Sequence, residues 1–165
     1  MDTLLFRPIG VIRSPFAERE GMPIQPSGAK GAAGEIHLES DLIEGLQDLD
    51  AFSHLILLYH FHASSGYNLR VKPFMDTVAR GLFATRAPRR PNPIGLSVVR
   101  LASIEGNVLH ILDVDVLDQT PLLDIKPYVP RFDTPEGDMR CGWLEKNADK
   151  SEHLRSDDRF VKAQS

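Results

Sequence analysis

Hydrophobic positions along this chain fall into short alternating or continuous runs instead of long helical stripes. Leu4 to Ile12 reads as a first strand, interrupted at Pro8 and stopped by Ser14-Pro15. Residues 16–34 carry Gly21, Pro23, Pro26, Gly28, Gly31 and Gly34 and read as a loop, long enough to have a function. From Glu35 to Glu39 the chain alternates polar and apolar, predicting a half-buried strand. Asp41 to Leu49 has Leu42, Ile43, Leu46 and Leu49 at helical spacing, with Ser40 or Asp41 as N-cap. His54 to His62 is apolar on both faces and predicts the most buried strand, with His54, His60 and His62 on one face by period two.

Residues 64–85 read as a mixed connection with a helical turn over Met75 to Arg80. Two strands joined at Glu105-Gly106-Asn107 then give a hairpin signal. The first places Leu96, Val98, Ala102 and Ile104 on one face, and the second runs from Val108 to Val116. Leu117 to Pro130 alternates polar and apolar side chains, Thr134 to Asp138 is a turn, and Trp143 to Lys150 reads as a terminal helix. Many strands, few helices and prolines at strand ends predict a single mostly-β domain over residues 1–150, a barrel or a sandwich, with a polar tail over 151–165.

Between the buried strand and the hairpin lies Arg86-Ala87-Pro88-Arg89-Arg90-Pro91-Asn92-Pro93-Ile94-Gly95-Leu96-Ser97. Its three prolines exclude a helix interior and a central strand. Its three arginines on a stiff backbone suit carboxylate or phosphate oxygens; the bland alternative is a solvated connection between strands.

The net charge of −4 is unevenly spread. Residues 70–100 hold seven Lys/Arg against the single acid Asp76, while the remainder holds twelve bases against twenty-two acids. A basic patch on an acidic protein points to a local anionic ligand more than to a surface wholly devoted to nucleic acid. Cys141 stands alone, which excludes an internal disulfide and fits a reducing compartment. No signal peptide and no run long enough for a membrane helix is read, so a cytoplasmic protein is expected.

Candidate chemistry begins with His60 and His62, which at this spacing can share a zinc ion and open a metal-hydrolase alternative. No third ligand and no His-Glu-x-x-His helix accompanies them, so no metal is expected. Gly28-Ala29-Lys30-Gly31 lacks the Gly-Lys-Ser/Thr ending of a phosphate loop. Arg86, Arg89 and Arg90 can hold an anion, and the loop with Gln25, Pro26 and Ser27 can close over a small ligand. A second polar cluster is Asp118, Thr120, Asp124, Lys126 and Tyr128. Asp124 can act as a base or merely pair with Lys126. The residues alone reach a β-rich protein with an anion-binding, nucleoside-sized site.

Arg90-Pro91-Asn92-Pro93-Ile94-Gly95-Leu96-Ser97 and Asp124-Ile125-Lys126-Pro127-Tyr128-Val129-Pro130 resemble the two signatures of the TsaA-like (YaeB/TrmO) family. Ile9 to Pro15, Phe52 to Leu55 and Phe83 to Arg86 agree, so the resemblance covers about residues 6–132. It implies a homodimeric β-barrel methyltransferase outside the Rossmann class. The implied reaction takes a methyl group from S-adenosylmethionine to N6 of threonylcarbamoyladenosine next to the anticodon of tRNA. Carried over by motif, the cofactor touches Gln25, Pro26, Ser27, Phe61, His62, Arg86, Leu96, Asp118, Gln119, Thr120 and Pro121. Arg89, Arg90 and Asn92 face the substrate, and Asp124, Lys126 and Tyr128 form the catalytic group, with Asp124 as proton acceptor. Gln119 stands where the family has glycine, which strains the turn if it needs φ > 0. The alternative function is an S-adenosylmethionine-binding sensor or interaction module without transfer.

Overall fold

The computed structural model describes residues 2–145 other than 19, 24 and 75, together with Ser156. Among the described residues eight strands form in chain order: β1 (Gly10–Arg13), β2 (Ala33–Leu38), β3 (His54–His60), β4 (Arg70–Val71), β5 (Arg80–Gly81), β6 (Ile94–Glu105), β7 (Val108–Leu112) and β8 (Thr120–Pro127). Six of them close an antiparallel barrel in the order β1-β2-β7-β6-β3-β8, and β4 pairs with β5 in a separate two-stranded sheet. The mostly-β expectation holds, and the barrel is the form it takes. Closure leaves no sheet edge in the main body, so the backbone groups of the barrel strands find partners within it.

Strand β3 is the centre of the wall. It pairs with β6 on one side and β8 on the other. Leu55, Leu57 and Tyr59 point inward, where they join Ile12, Ile36, Val99, Leu109, Ile111, Val114, Val116 and Leu122 in one core. Ile56 and Leu58 face outward and are only half-buried. The apolar pattern on both faces therefore reflects a filled interior and an outer apolar strip.

Several sequence expectations are corrected. The first strand begins only at Gly10; Leu4, Leu5 and Phe6 are exposed, Leu5 to 93%. The expected helix after β2 is instead two 3-10 turns, Ser40–Leu46 and Leu49–Ala51, without a side-chain N-cap. Asp48 at φ 64° interrupts the run, and only Leu46 and Leu49 of its apolar residues pack on the core. Strand β3 ends at His60, so His62 lies in the following turn and does not continue the period-two row of His54 and His60.

In β6 the inward residues are Gly95, Ser97 and Val99, opposite Tyr59, Leu57 and Leu55. Leu96 and Val98 point outward, the reverse of what an apolar count predicts. A bulge at Ala102 then reverses the face and returns Ile104 to the core. The strand predicted over Val108 to Val116 stops at Leu112, because Asp113 adopts φ 68°. The hairpin turn lies where expected, with Gly106 at φ 61°.

Among the described residues of 64–85 no helical turn forms over 75–80. Asp76 instead accepts hydrogen bonds from the backbone of Thr77 and Val78 and holds Arg80 by a 2.7 Å ion pair. Near the C-terminus only a 3-10 turn, Gly142–Leu144, is described; the rest of the helix expected to Lys150 and the tail lie outside the described residues, Ser156 excepted.

Gly95 is required by close approach, not by its dihedrals. A Cβ there would overlap the Tyr59 ring and come within 2.9 Å of Phe61 Cζ. Gly95→Ala is expected to displace the Tyr59 ring and destabilise the fold by about 1–3 kcal/mol. A urea titration against the parent protein measures the loss.

Candidate functional site

The Arg86–Ser97 segment is fixed before it reaches the barrel. Leu82 and Ala87 pack with Val71 in a small second core beneath the β4–β5 sheet. Thr85 Oγ1 donates to Leu82 O at 2.7 Å and accepts from the Ala87 N–H. Arg90 Nη1 donates to the carbonyls of Thr85 and Ala87 at 2.9 and 3.2 Å, and its guanidinium lies over the Phe83 ring. Phe61 N–H donates to Pro93 O at 2.8 Å and ties the segment to the end of β3. Arg90 thus braces the loop that presents Arg86.

Above this loop opens a cavity of about 1020 Å³. Its wall takes Gln25 and Ser27 from the long first loop, Phe61 and His62 after β3, Arg86 and Arg90, Leu96 and Ser97 from β6, Asp115, and Thr120 at the start of β8. Arg86 Nη1 donates to Gln25 Oε1 at 3.1 Å, joining two segments sixty-one residues apart. His62 Nδ1 lies 3.2 Å from Thr120 Oγ1, whose own hydrogen goes to Leu117 O at 2.7 Å. That contact is a hydrogen bond when Nδ1 carries the proton. Trp143 and Leu144 complete one side, with Trp143 Nε1 donating to Ala84 O at 2.8 Å. Ser156 pairs through its backbone with Gly21 and Met22, so this tail residue also borders the cavity.

The most consequential polar group escaped the sequence reading. Ser97 Oγ donates to Asp115 Oδ1 at 2.6 Å and lies 2.9 Å from Tyr59 Oη. With the serine hydrogen committed to the carboxylate, Tyr59 is the donor to Ser97, and the chain runs Tyr59 to Ser97 to Asp115. Burial pushes the Asp115 carboxyl up to about 6, opposed by the Ser97 hydroxyl, its own backbone N–H and the field of Arg86. Burial, and then the Asp115 charge, push the Tyr59 phenol far above its ordinary value. Two residues earlier the environment is reversed: the Arg100 guanidinium holds Asp113 below the usual carboxylate range. Asp115 sits in the apolar run Val114-Asp115-Val116-Leu117, which hid it; an acid inside such a run was the available signal.

Of the cofactor residues expected from sequence, Gln25, Ser27, Phe61, His62, Arg86, Leu96 and Thr120 are brought together around the cavity. Pro26 belongs to the 3-10 turn Pro26–Gly28 between Gln25 and the rest of the loop. Asp118, Gln119 and Pro121 do not line it. Asp118 instead anchors the end of β1, accepting from Ser14 N–H at 3.0 Å and lying 4.0 Å from Arg13. Gln119 does adopt φ 63°, the left-handed conformation that a glycine takes without cost. Of the substrate residues Arg90 borders the cavity, while Arg89 and Asn92 do not.

The catalytic group is not joined to the cavity within one chain. A bulge at Leu123 and the pairing of Asp124 with Leu58 and Lys126 with Ile56 put both polar side chains on the outer face of the barrel. There Lys126 Nζ contacts Asp124 Oδ2 at 2.6 Å, and Asp124 Oδ1 accepts from Ile125 N–H. Tyr128 Oη lies 3.3 Å from Thr134 Oγ1, also away from the cavity. Among the described residues no group of three His, Cys, Asp or Glu is gathered as a metal site. No described helix is long and apolar enough to cross a membrane.

A closed antiparallel barrel whose nucleoside-sized cavity is bordered by the Arg86 and Arg90 guanidinium groups and by the Asp115 carboxylate defines a small-ligand-binding barrel outside the doubly wound class. The family model of the tRNA-methyltransferase O N-terminal domain matches residues 11–134, and the chain belongs to that family. A "Probable S-adenosyl-L-methionine-binding protein" of Pyrococcus abyssi is 55% identical over 95% of this chain and 85% of its own length. The tRNA (adenine(37)-N6)-methyltransferase of Escherichia coli is 41% identical over 79% of this chain and 60% of its own length. The crystal structure of TrmO from Pseudomonas aeruginosa superposes with a TM-score of 0.71 at 43% identity, covering 86% of this chain and 63% of that one. The chain therefore spans under two thirds of the E. coli enzyme and of the solved TrmO chain.

Asp115 leaves a signature in stability. A carboxyl whose pKa rises on folding stabilises the native state fully below its unfolded value near 3.8, and this contribution is lost as pH climbs through about 6. Asp115→Asn is expected to match the parent near pH 4 and to exceed it at pH 7.5 by on the order of 2–3 kcal/mol. Denaturant midpoints of both proteins across that range measure the difference.

Proposed function

We propose that this protein is an S-adenosylmethionine-dependent methyltransferase acting on N6 of a tRNA adenine, with threonylcarbamoyladenosine beside the anticodon as acceptor and the cytoplasm as its place of action. The observation that carries this reading is the convergence of Gln25, Ser27, Phe61, His62, Arg86, Leu96 and Thr120, from separate stretches of chain, on one cavity. The residues present fit the cofactor: Arg86 suits a carboxylate, Phe61 and Leu96 supply apolar surface, and Gln25, His62 and Thr120 supply hydrogen-bonding groups. When bound, the cofactor supplies an electrophilic methyl group on a sulfonium centre. The barrel wall and the Trp143 side exclude water, and the braced Arg86 loop fixes orientation, which is the main task in an in-line displacement.

Proton removal from N6 falls to Asp124, and binding of the acceptor's carboxylate and flanking phosphates to Arg89, Arg90 and Lys126. Because Asp124 and Lys126 lie on the outer face, this reading includes a homodimer. The outer side chains of β8, β3 and β6 form one strip: Asp124 beside Leu58 beside Leu96, and Lys126 beside Ile56 beside Val98. Leu96 is half exposed (50%) and belongs both to this strip and to the cavity wall. A second copy packed on the strip sets its own Asp124 next to the cavity mouth.

Calorimetry with S-adenosylmethionine, and labelled methyl transfer to tRNA carrying threonylcarbamoyladenosine, test the assignment. Arg86→Ala is expected to weaken cofactor binding by about tenfold or more. Asp124→Asn is expected to retain binding and lower turnover by roughly a hundredfold. The opposite pattern overturns these roles, and parent protein that binds but transfers nothing is the sensor. For the dimer, light scattering of Leu58→Glu is expected to read one chain where the parent reads two. A parent that scatters as one chain removes the dimer from the reading.

A further inference from the structure

Resting on the reading of the cavity as an S-adenosylmethionine site, we propose that Asp115 is the counter-charge for the sulfonium and selects the cofactor over its thioether product, S-adenosylhomocysteine. Asp115 lines the cavity and enters no ion pair among the described residues, although five pairs between Arg or Lys and a carboxylate are formed elsewhere in them. An uncompensated carboxylate in a cavity wall is costly to keep, and a cation arriving from the cavity relieves that cost. Its ionised form is prepared in advance, because the Tyr59–Ser97 chain delivers a hydrogen bond to Oδ1.

The surroundings favour an onium centre over an ammonium. Tyr59 and Phe61 both line the cavity and pack edge-to-face with ring centroids 5.4 Å apart. Aromatic surface next to a carboxylate suits an alkylated cation that has charge and no N–H to donate. An ammonium calls for several well-placed acceptors, whereas here the Ser97 hydroxyl hydrogen is committed to Asp115 and the Tyr59 hydrogen to Ser97. Arg86, in the same cavity, has the opposite sign and suits the carboxylate of an amino-acid tail. Methyl transfer carries the positive charge away with the methyl group, leaving a neutral thioether beside a carboxylate that is again uncompensated. The same residue therefore favours entry of the charged form and departure of the product.

Calorimetric titration of the full chain with S-adenosylmethionine and, separately, S-adenosylhomocysteine reads this directly, without turnover. The parent is expected to prefer the sulfonium ligand by about tenfold. Asp115→Asn is expected to abolish that preference through weaker S-adenosylmethionine binding, with S-adenosylhomocysteine changed less than about threefold. Asp115→Glu, which keeps the charge, is expected to retain part of the preference. An unchanged ratio in Asp115→Asn, or equal weakening of both ligands, overturns the proposal while leaving the cofactor reading intact. A parent that binds neither ligand overturns the cofactor reading itself and this proposal with it.

Discussion

The Ser97 hydroxyl stands between the Tyr59 phenol and the Asp115 carboxylate, and much of this structure is arranged to let it do so. A barrel of this size fills its interior with aliphatic side chains, and a polar group inside is tolerated only when it is hydrogen-bonded. Ser97 satisfies both neighbours with one hydrogen and one lone pair. To bring it inward, β6 must turn Leu96 and Val98 out, and to make room for the Tyr59 ring opposite, the next inward position of β6 must be glycine. The face of β6 is thus set by Ser97 and by the Tyr59 ring that Gly95 must accommodate, and not by Leu96 and Val98.

That choice explains what could and could not be read from the chain. The proline-stiffened segment, the hairpin at Gly106 and the buried character of β3 follow from local rules of backbone geometry and apolar runs. Of the family signatures, the first contributed Arg90, Leu96 and Ser97 to the cavity wall, while the second lies outside it. The face of β6 was misread because alternation assumes that apolar means inward, and at a cavity wall that assumption inverts. Asp115 was missed for the same reason, since it lies in a run whose neighbours Val114 and Val116 do enter the core. The short helices failed because Gly45 and the left-handed Asp48 sit in an otherwise helical apolar pattern.

The arginine segment divides its labour in a way composition does not reveal. Arg90 donates to two carbonyls of its own loop, whereas Arg86 reaches across to Gln25 on the first loop. Arg90 shapes the backbone while bordering the cavity, and Arg86 joins the loop to the cavity's opposite segment. A stiff loop lowers the entropy lost when Arg86 binds an anion, so the prolines and Arg90 contribute to affinity without touching a ligand.

Placing a guanidinium and a carboxylate in the same cavity without joining them sets a stability cost against a gain in discrimination. A direct Arg86–Asp115 ion pair would neutralise both charges and leave the cavity with no net preference among neutral and zwitterionic ligands. Instead Arg86 is held by a neutral amide and Asp115 by a neutral hydroxyl, partners that fix orientation while leaving the charge uncancelled. The residual field along the cavity then has a direction, and a ligand with separated charges is aligned by it before any contact is made. Burial sharpens this field, because the same low polarity that raises the Asp115 pKa also strengthens its attraction for a cation. The instability of the ligand-free site and its selectivity for charge are consequently two expressions of one arrangement.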